Sequence, residues 1–250
     1  MINTDPKLFA RTGYCLFPQV MSPEEIRVMQ RRLKEASKAQ QLDRPQYFGE
    51  PHTKDSYWLE LCRHPGLLDA VEAILGPNLI LVYSSMFIKP ADNAELSVGW
   101  HQDNTYWPSV HGTDVVTVWL AIDHADAENS AMQVIPGSHR GYLERETIAS
   151  AENEMLSDKI ELSPEIEATA LTLSMKAGSL SIHDSFLVHG SDRNHSGRRR
   201  AAYTIRYCST DTAWVDLQQH PIPVYLVRGD FGPRGQGYTD LRPGLPCPVL

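Results

Sequence analysis

Apolar positions have helical spacing in the first third of the chain and strand-like spacing in the rest. Ser22-Pro23-Glu24-Glu25 has the form of a capping box with proline at the first helical position, and apolar residues follow at three- and four-residue intervals. A second apolar stripe from Leu67 to Leu75 is ended by Gly76-Pro77. The pattern predicts two helices here, each with one apolar face that packs on another layer.

From Leu79 onward the chain consists of short runs with the composition of β-strands, separated by turn-forming residues. The predicted strands cover about 79–89, 96–103, 114–123, 131–135, 169–174, 178–183 and 200–207. Many short strands preceded by helices favour a mainly β fold with flanking helices. We expect a predominantly antiparallel double-sheet jelly roll or closed barrel.

Two segments fall outside this pattern. The stretch 140–168 is acidic and too long for a hairpin turn, which indicates a partly helical insertion or a lid-like loop. The tail 220–250 contains six prolines and several glycines and is predicted to run extended and irregular over the surface. We predict a single domain over 1–250, with a helical part at about 1–78 and a β core at about 79–210.

Composition excludes several classes of protein. Acidic residues outnumber basic ones by 31 to 23, and the net charge of −8 disfavours a molecule-wide nucleic-acid surface, although a local basic patch is not excluded. Cys15, Cys62, Cys208 and Cys247 show no CxxC spacing and are expected to be reduced thiols. No window approaches the roughly 18 apolar residues of a membrane span. We therefore predict a cytoplasmic protein that binds neither nucleic acid nor membranes.

The first candidate for chemistry is Ser97-Val-Gly-Trp-His-Gln-Asp103. Alternate side chains of a strand share a face, so His101 and Asp103 are expected together, with the small Ser97 and Gly99 leaving space beside them. Two histidines and one carboxylate form the facial triad of non-haem Fe(II) oxygenases. By itself the HxD tripeptide is weak evidence, because it more often marks a surface or core histidine near an aspartate than a metal site.

A second histidine has to come from a distant strand, and His189 follows the predicted strand 178–183. Four further histidines compete with it for this role. His183 adjoins an aspartate that faces the opposite way and makes a poor chelating pair, and His195 lies in a basic turn. His139 ends a Pro-Gly-Ser-His turn, and His111 is the fourth competitor. We predict His189 as the third ligand.

A strand after His189 carries alternating residues expected on one face: Arg200, Ala202, Thr204 and Arg206. A guanidinium deep in a barrel is suited to bind a carboxylate bidentately, as required for the far end of a keto-diacid that chelates iron. Arg200 is predicted to do so, whereas Arg198 and Arg199 are predicted to form a solvated basic turn. For Arg206 two hypotheses stay open, an acidic group of the substrate or a structural ion pair.

Several ordered motifs together resemble the phytanoyl-CoA dioxygenase family of Fe(II)/2-oxoglutarate-dependent oxygenases, from about Phe9 to Tyr207. The matching segments are Phe87–Pro90, Trp100–Pro108 (WHQDNTYWP), Thr117–Asp123, Met132–His139 (MQVIPGSH), and His189-Gly-Ser191 through Arg200.

The resemblance implies one Fe(II)/2-oxoglutarate dioxygenase domain with a double-stranded β-helix core, a cupin-like jelly roll. It implies iron held by His101, Asp103 and His189, with dioxygen as a further co-substrate. It also implies 2-oxoglutarate bound by Arg200, with Ser191, Gln102 and Trp119 as neighbours. Where the family usually has Asn-Gly-x-Leu, this chain has Asn129-Ser-Ala-Met132, which changes the wall of the pocket.

Related halogenases have a small residue where Asp103 stands, so its carboxylate predicts oxygenation. The expected reaction is hydroxylation of an unactivated C–H bond in a small metabolite, with release of succinate and CO2. The segments 140–168 and 44–58 are candidates to close over that substrate. Competing hypotheses are a same-site oxygenase that desaturates or cyclises its substrate, and a non-catalytic metal-binding jelly-roll module. The sequence does not predict an oligomeric state.

Overall fold

The computed structural model describes residues 5–39, 47–91, 96–140, 147–150 and 154–246. The strands, in chain order, are β1 Tyr14–Phe17, β2 Tyr47–Gly49, β3 Leu79–Lys89, β4 Val98–His101, β5 Val110–Gly112, β6 Val115–Ala121, β7 Gln133–Val134, β8 Ile148–Ala149, β9 Asp158–Lys159, β10 Leu171–Thr172, β11 Leu180–Asp184, β12 His189–Ser191, β13 Arg200–Ser209, β14 Ala213–Val215, β15 Tyr225–Arg228 and β16 Thr239–Asp240. The α-helices are α1 Phe9–Thr12, α2 Pro23–Ala39, α3 Ser56–Cys62, α4 Pro65–Leu75 and α5 Pro164–Glu167. Short 3-10 helices cover Pro6–Leu8, Pro51–Thr53 and Asp103–Tyr106.

Two sheets form the core of the fold. The large sheet has the order β1-β11-β6-β13-β3-β15-β16, with β2 also paired to β3, and every pairing except β15 with β16 is antiparallel. The small sheet has the order β10-β7-β12-β4 and is antiparallel throughout. This arrangement confirms the predicted mainly β, jelly-roll class with flanking helices.

Alternation along the large sheet separates a core face from a cavity face. On β6, Val116, Val118 and Leu120 pack with the helices in the main hydrophobic core, whereas Thr117 and Trp119 point to a cavity on the other side. The covering helices supply Met29 and Leu33 of α2 together with apolar residues of α3 and α4. The helices therefore cover one face of the large sheet, and the opposite face lines the cavity.

Both predicted helices are present. The backbone N–H of Ser22 donates to Glu25 Oε2 at 2.7 Å, and the N–H of Glu25 donates to Ser22 Oγ at 3.3 Å, which is the predicted capping box before α2. Helix α4 ends at Leu75, and Gly76 follows it with φ of 81°. A left-handed φ favours glycine, which explains the stop at this position.

The structure corrects the predicted layout at both ends. The helical part at 1–78 also contains β1, which pairs with β11 at an edge of the large sheet. The tail is not irregular throughout, because β15 pairs with β3 and its Leu226 is fully buried. Without β15, residues 79–81 of β3 would present unpaired N–H and C=O groups at a sheet edge. The single-domain layout itself stays a prediction.

Where it is described, the segment 140–168 contains one short helix, as one of the two expectations had it, and also two strands that the sequence did not predict. Strands β8 and β9 form a short ladder, and α5 adds one helical turn. Residues 141–146 and 151–153 lie outside the described residues. Cys15, Cys62 and Cys208 are buried free thiols, whereas Cys247 is outside the described residues. None of the described helices combines the length and apolar character that crossing a membrane requires.

Candidate metal centre and adjoining cavity

Two histidines face each other across the small sheet. His101 ends β4 and His189 begins β12, and the two are register partners with ring centroids 4.0 Å apart. Asp103 is the first residue of the following 3-10 helix. One ligand atom from each of the three side chains lies within 4.8 Å of the others, and all three residues are buried. The structure thus brings together the three residues predicted as metal ligands.

The local backbone differs from the predicted strand. His189 pairs with His101, and Ser191 pairs with Val98. Three residue steps on β4 therefore lie opposite two on β12, which makes a β-bulge. A Cβ on Gly99 would lie 2.9 Å from Lys159 Cβ, so the glycine makes room for Lys159. The prediction that Gly99 and Ser97 leave space beside the metal ligands is therefore wrong. Neither residue lines the cavity.

The tautomers of both histidines follow from their hydrogen bonds. His101 Nδ1 lies 2.9 Å from the carbonyl oxygen of Gly99, and His189 Nδ1 lies 2.9 Å from that of Leu187. Since a carbonyl only accepts, each Nδ1 donates a hydrogen bond, and each Nε2 is the ring nitrogen that faces Asp103. Burial lowers the pKa of His189 well below its usual value, and the charges of neighbouring histidines add to this effect. A neutral imidazole is the form that binds a metal.

The carboxylate of Asp103 is fixed by one of its oxygens. Oδ2 accepts a hydrogen bond from Thr117 Oγ1 at 2.5 Å and lies 3.4 Å from His183 Nε2. Oδ1 lies 3.6 Å from His101 Nε2 and 3.8 Å from His189 Nε2. Burial raises the pKa of Asp103, but the surrounding histidines outweigh it and hold the pKa well below the ordinary value. The carboxylate is therefore ionised and presents Oδ1 to the two imidazoles.

His183 is a member of this site that sequence reasoning set aside. It is 1% exposed, lines the cavity, and its ring centroid lies 4.4 Å from that of His189. The group of mutually close ligand atoms does not include it. Its Nε2 lies 3.4 Å from Asp103 Oδ2, and neither ring nitrogen makes a hydrogen bond with a described residue, so the imidazole packs beside the carboxylate. The buried, alternating strand 178–183 was the available signal, because its odd residues face the side opposite to Leu180 and Ile182.

The three histidines that competed with His189 from other segments lie away from the metal centre. His195 is exposed, and His139 Nε2 lies 3.2 Å from the carbonyl oxygen of Ala10. His111 belongs to β5 and stacks at 4.5 Å on Trp214. None of these three histidines is among the cavity-lining residues.

Arg200 is buried at the start of β13, on the cavity face. Its Nε donates to the Ser130 carbonyl at 3.1 Å, and its Nη2 donates to Ser191 Oγ at 3.2 Å. The guanidinium lies over the Trp119 ring at 5.5 Å from its centroid. Burial lowers the pKa of Arg200 to about 10, so it stays protonated at neutral pH. Arg200, Ser191 and Trp119 all line the cavity that contains the three candidate ligands.

Lys89 is a second buried cation whose position sequence reasoning missed. It pairs with Arg200 in the β3–β13 register and is 1% exposed. Its Nζ donates to Ser130 Oγ at 2.8 Å and to Ser191 Oγ at 2.7 Å. Burial and the charge of Arg200 lower the pKa of Lys89 well below its usual value. The sequence signal was a lysine at the end of an apolar strand, inside one of the matching motifs.

The altered motif at Asn129-Ser-Ala-Met132 borders this region. Ser130 has φ of 68°, a left-handed conformation in which a glycine is unstrained. Here the serine side chain accepts from Lys89 Nζ and donates to the Asp192 carbonyl. Met132 lines the cavity. Where the family usually has glycine, Ser130 thus adopts a left-handed conformation and adds side-chain hydrogen bonds next to Arg200.

Two sequence predictions about neighbouring residues are not met. Gln102 does not line the cavity, and its Nε2 donates to the Phe186 carbonyl at 2.6 Å, which ties the chain before β12. Arg198 is exposed as expected. Arg199, however, is half-buried and forms a bidentate pair with Asp123 at 2.7 and 2.9 Å, because the carboxylate lies at the end of neighbouring β6.

The cavity has a volume of about 510 Å³ and reaches from the three candidate ligands to Arg206. Arg206 lies on the same face of β13 as Arg200, as predicted, and its guanidinium charge also lowers the pKa of Asp103. No carboxylate of the described residues forms an ion pair with Arg206. Both predicted covering segments contribute to the lining, with Tyr47 and Glu50 from one and Met155 and Leu156 from the other.

Comparison with known proteins identifies similar chains. The family model described as phytanoyl-CoA dioxygenase matches residues 9–202. The peroxisomal phytanoyl-CoA dioxygenase of Rattus norvegicus is 27% identical, over 63% of this chain and 47% of its own length. The chain spans about half the length of such curated relatives.

Two further comparisons extend over nearly the whole chain. The L-proline trans-4-hydroxylase of Streptomyces griseoviridis is 26% identical over 90% of this chain and 92% of its own length. Among solved structures, the non-heme monooxygenase ThoJ in its apo form has a TM-score of 0.76 at 24% identity, covering 94% of this chain and 86% of that one. The structural likeness extends the fold assignment beyond the family match.

Proposed function

The chain belongs to the phytanoyl-CoA dioxygenase family, and we propose that it is an Fe(II)/2-oxoglutarate-dependent dioxygenase that hydroxylates an unactivated C–H bond of a small metabolite. The balanced reaction converts the substrate, 2-oxoglutarate and O2 into the hydroxylated product, succinate and CO2. One observation carries the proposal. One ligand atom from each of two imidazoles and one carboxylate converge within 4.8 Å in a cavity that also contains a buried arginine.

The donor set fits a ferrous ion. His101, His189 and Asp103 offer two nitrogens and one oxygen in the forms that bind metals, which is the ligand set of non-haem Fe(II) oxygenases. A bound Fe(II) ion would supply the activation of O2 that is coupled to oxidative decarboxylation of 2-oxoglutarate. Thr117 would hold the non-ligating oxygen of Asp103 and so fix the direction of the carboxylate, and the His183 ring packs beside that oxygen.

The co-substrate would be anchored by the buried cationic end of the cavity. The guanidinium of Arg200 would bind the far carboxylate of 2-oxoglutarate, and Ser191 Oγ lies beside it. Lys89 holds that serine from behind, while Trp119 supports the guanidinium face. Gln102 has no direct part in this proposal, because its amide is engaged outside the cavity.

The protein would contribute positioning and exclusion of water from the reacting groups. The cavity volume of about 510 Å³ suits a small metabolite more than a large acyl-CoA. The name of the relative that matches nearly end to end, L-proline trans-4-hydroxylase, supports the same size class. We further propose a cytoplasmic location and no nucleic-acid partner, in keeping with the net charge of −8.

Anaerobic titration of the protein with Fe(II) and 2-oxoglutarate tests this function. We expect a weak visible charge-transfer band and, after air is admitted, formation of succinate. His189→Ala and Arg200→Ala should each abolish the band. The exposed His195→Ala and Arg198→Ala are matched controls that should keep it. An unchanged band in His189→Ala, or no succinate from the wild type across a broad metabolite panel, would contradict the proposal.

A further inference from the structure

The end of the cavity opposite Arg200 on β13 contains a buried arginine with an unpartnered nitrogen. Arg206 is 6% exposed, and its Nε makes no hydrogen bond within the described part of the chain. Nη1 donates to Ser85 Oγ at 2.7 Å and to Thr204 Oγ1 at 2.5 Å. The polar contacts of the guanidinium are therefore concentrated at one nitrogen.

Aromatic rings fix the plane of this guanidinium. Arg206 Cζ lies 5.6 Å from the ring centroid of Tyr83 and 5.4 Å from that of Trp107. A buried cation without an acidic partner is costly, and a carboxylate ligand that binds it bidentately removes that cost. The geometry favours a planar anion at the free edge.

An acidic side chain lines the same cavity. Glu50 follows β2 directly, and its carboxylate forms no hydrogen bond or ion pair with any described residue. Its φ of 59° is left-handed, a strained conformation for a non-glycine residue that is often found at binding sites. Tyr83 is the register partner of Arg206, and the charges of Glu50 and Arg206 shift the pKa of its hydroxyl in opposite directions, so both lie near this tyrosine.

We propose that Arg206, Glu50, Tyr83 and Trp107 form an outer subsite for a small zwitterion, an α-amino or α-imino acid. The substrate carboxylate binds Arg206, and its ammonium faces Glu50 and the tyrosine ring. The Glu50 carboxylate repels a phosphate dianion, which makes a carboxylate the fitting anion. This inference rests on the proposed function, because it identifies the substrate class of the same site.

Binding can be measured without turnover. The full chain is loaded anaerobically with Zn(II), which is not redox active, and with 2-oxoglutarate, and is then screened with the twenty proteinogenic amino acids by thermal shift. Calorimetry compares the strongest binder with its amide and its deaminated analogue, for example L-proline with L-prolinamide and cyclopentanecarboxylate. Loss of either charged group should weaken binding about 10- to 100-fold. Equal affinities for the three compounds, or no binding by any amino acid, would overturn the proposal.

Variants separate the two ends of the ligand. Arg206→Gln and Glu50→Gln should each weaken amino-acid binding at least about tenfold, and Arg206→Lys should recover part of the loss. Arg198→Gln, which changes an exposed arginine, should bind like the wild type. If Arg206→Gln does not fold, Glu50→Gln decides, because this residue is only half-buried. Unchanged affinity in Glu50→Gln would overturn the zwitterion assignment.

The Fe(II)/2-oxoglutarate band separates the two levels of the argument. If the wild type shows no band, the proposed function fails. If the band forms and neither the amino-acid panel nor the variants behave as stated, only the outer subsite fails.

Discussion

The large and the small sheet differ in how their strands are determined. In the large sheet, β3, β6 and β13 are 11, 7 and 10 residues long, and the core helices cover one of their faces. The small sheet consists of strands of two to four residues. Nevertheless, it carries His101 and His189. The large sheet therefore supplies a rigid wall, and the small sheet supplies ligands whose placement depends on a local bulge.

Truncation of one leucine in each sheet is the strongest way to test this contrast. Leu120 of β6 is fully buried in the main core, so Leu120→Ala should lower the free energy of unfolding by about 2–5 kcal/mol. Leu171→Ala in β10, where the leucine is only partly buried, should cost about 1 kcal/mol or less. Denaturant unfolding measures both. Equal losses would mean that the two sheets contribute alike.

The pH dependence of β11 provides the next test. Burial raises the pKa of Asp184 from 3.8 to about 7, while a hydrogen bond from the Phe186 N–H opposes the shift. The folded state therefore binds this proton more tightly than the unfolded state, so its stability contribution is present at low pH and is lost as the pH rises from about 4 to 7. Asp184→Asn removes the penalty and should stabilise the protein at pH 8 by up to about 3 kcal/mol.

Denaturant midpoints at several pH values measure this effect. The advantage of Asp184→Asn should be near zero at pH 4 and reach a plateau above pH 7. Asp216→Asn, in the half-buried turn after β14, is a control, and its effect should not grow over this range. A constant advantage of Asp184→Asn at every pH would show that ionisation is not its cause.

The smallest effect concerns the contact between the two regions. Thr117 of the large sheet donates to Asp103 Oδ2, so Thr117→Val should weaken Fe(II) or Mn(II) binding about 10-fold while the fold stays intact. Thr117→Ser keeps the hydroxyl and should bind metal like the wild type. Calorimetric metal titration compares the three proteins. Equal metal affinities would show that the Thr117 hydroxyl does not orient the carboxylate.

The long elements were predictable because their pattern reflects burial along many residues. The run 79–89 coincides with β3, and the capping box identified the start of α2. Alternation on β13 also placed Arg200 and Arg206 on one face. These features depend on local sequence and on one amphipathic period, which the chain alone reveals.

The sequence predictions failed where pairing between distant segments determines the structure. Strand β12 has three residues, and its bulge against β4 sets which side chains face the cavity. The tail strand β15 is determined by an available edge of β3. The approach of His183 to Asp103 depends on the position of β11 in the sheet. A single sequence has no signal for such tertiary register.

Strand β13 fixes the separation between Arg200 and Arg206. Its pairing with β3 is uninterrupted from Arg200 to Arg206, and the register shifts only after Arg206. At about 3.3 Å of rise per residue, six residues span roughly 20 Å between the two arginine backbones. Backbone pairing sets this distance, so substitution of a side chain does not alter it. A homologue that retains both arginines would have to accommodate a longer or shorter substrate by changes in the cavity wall that faces β13.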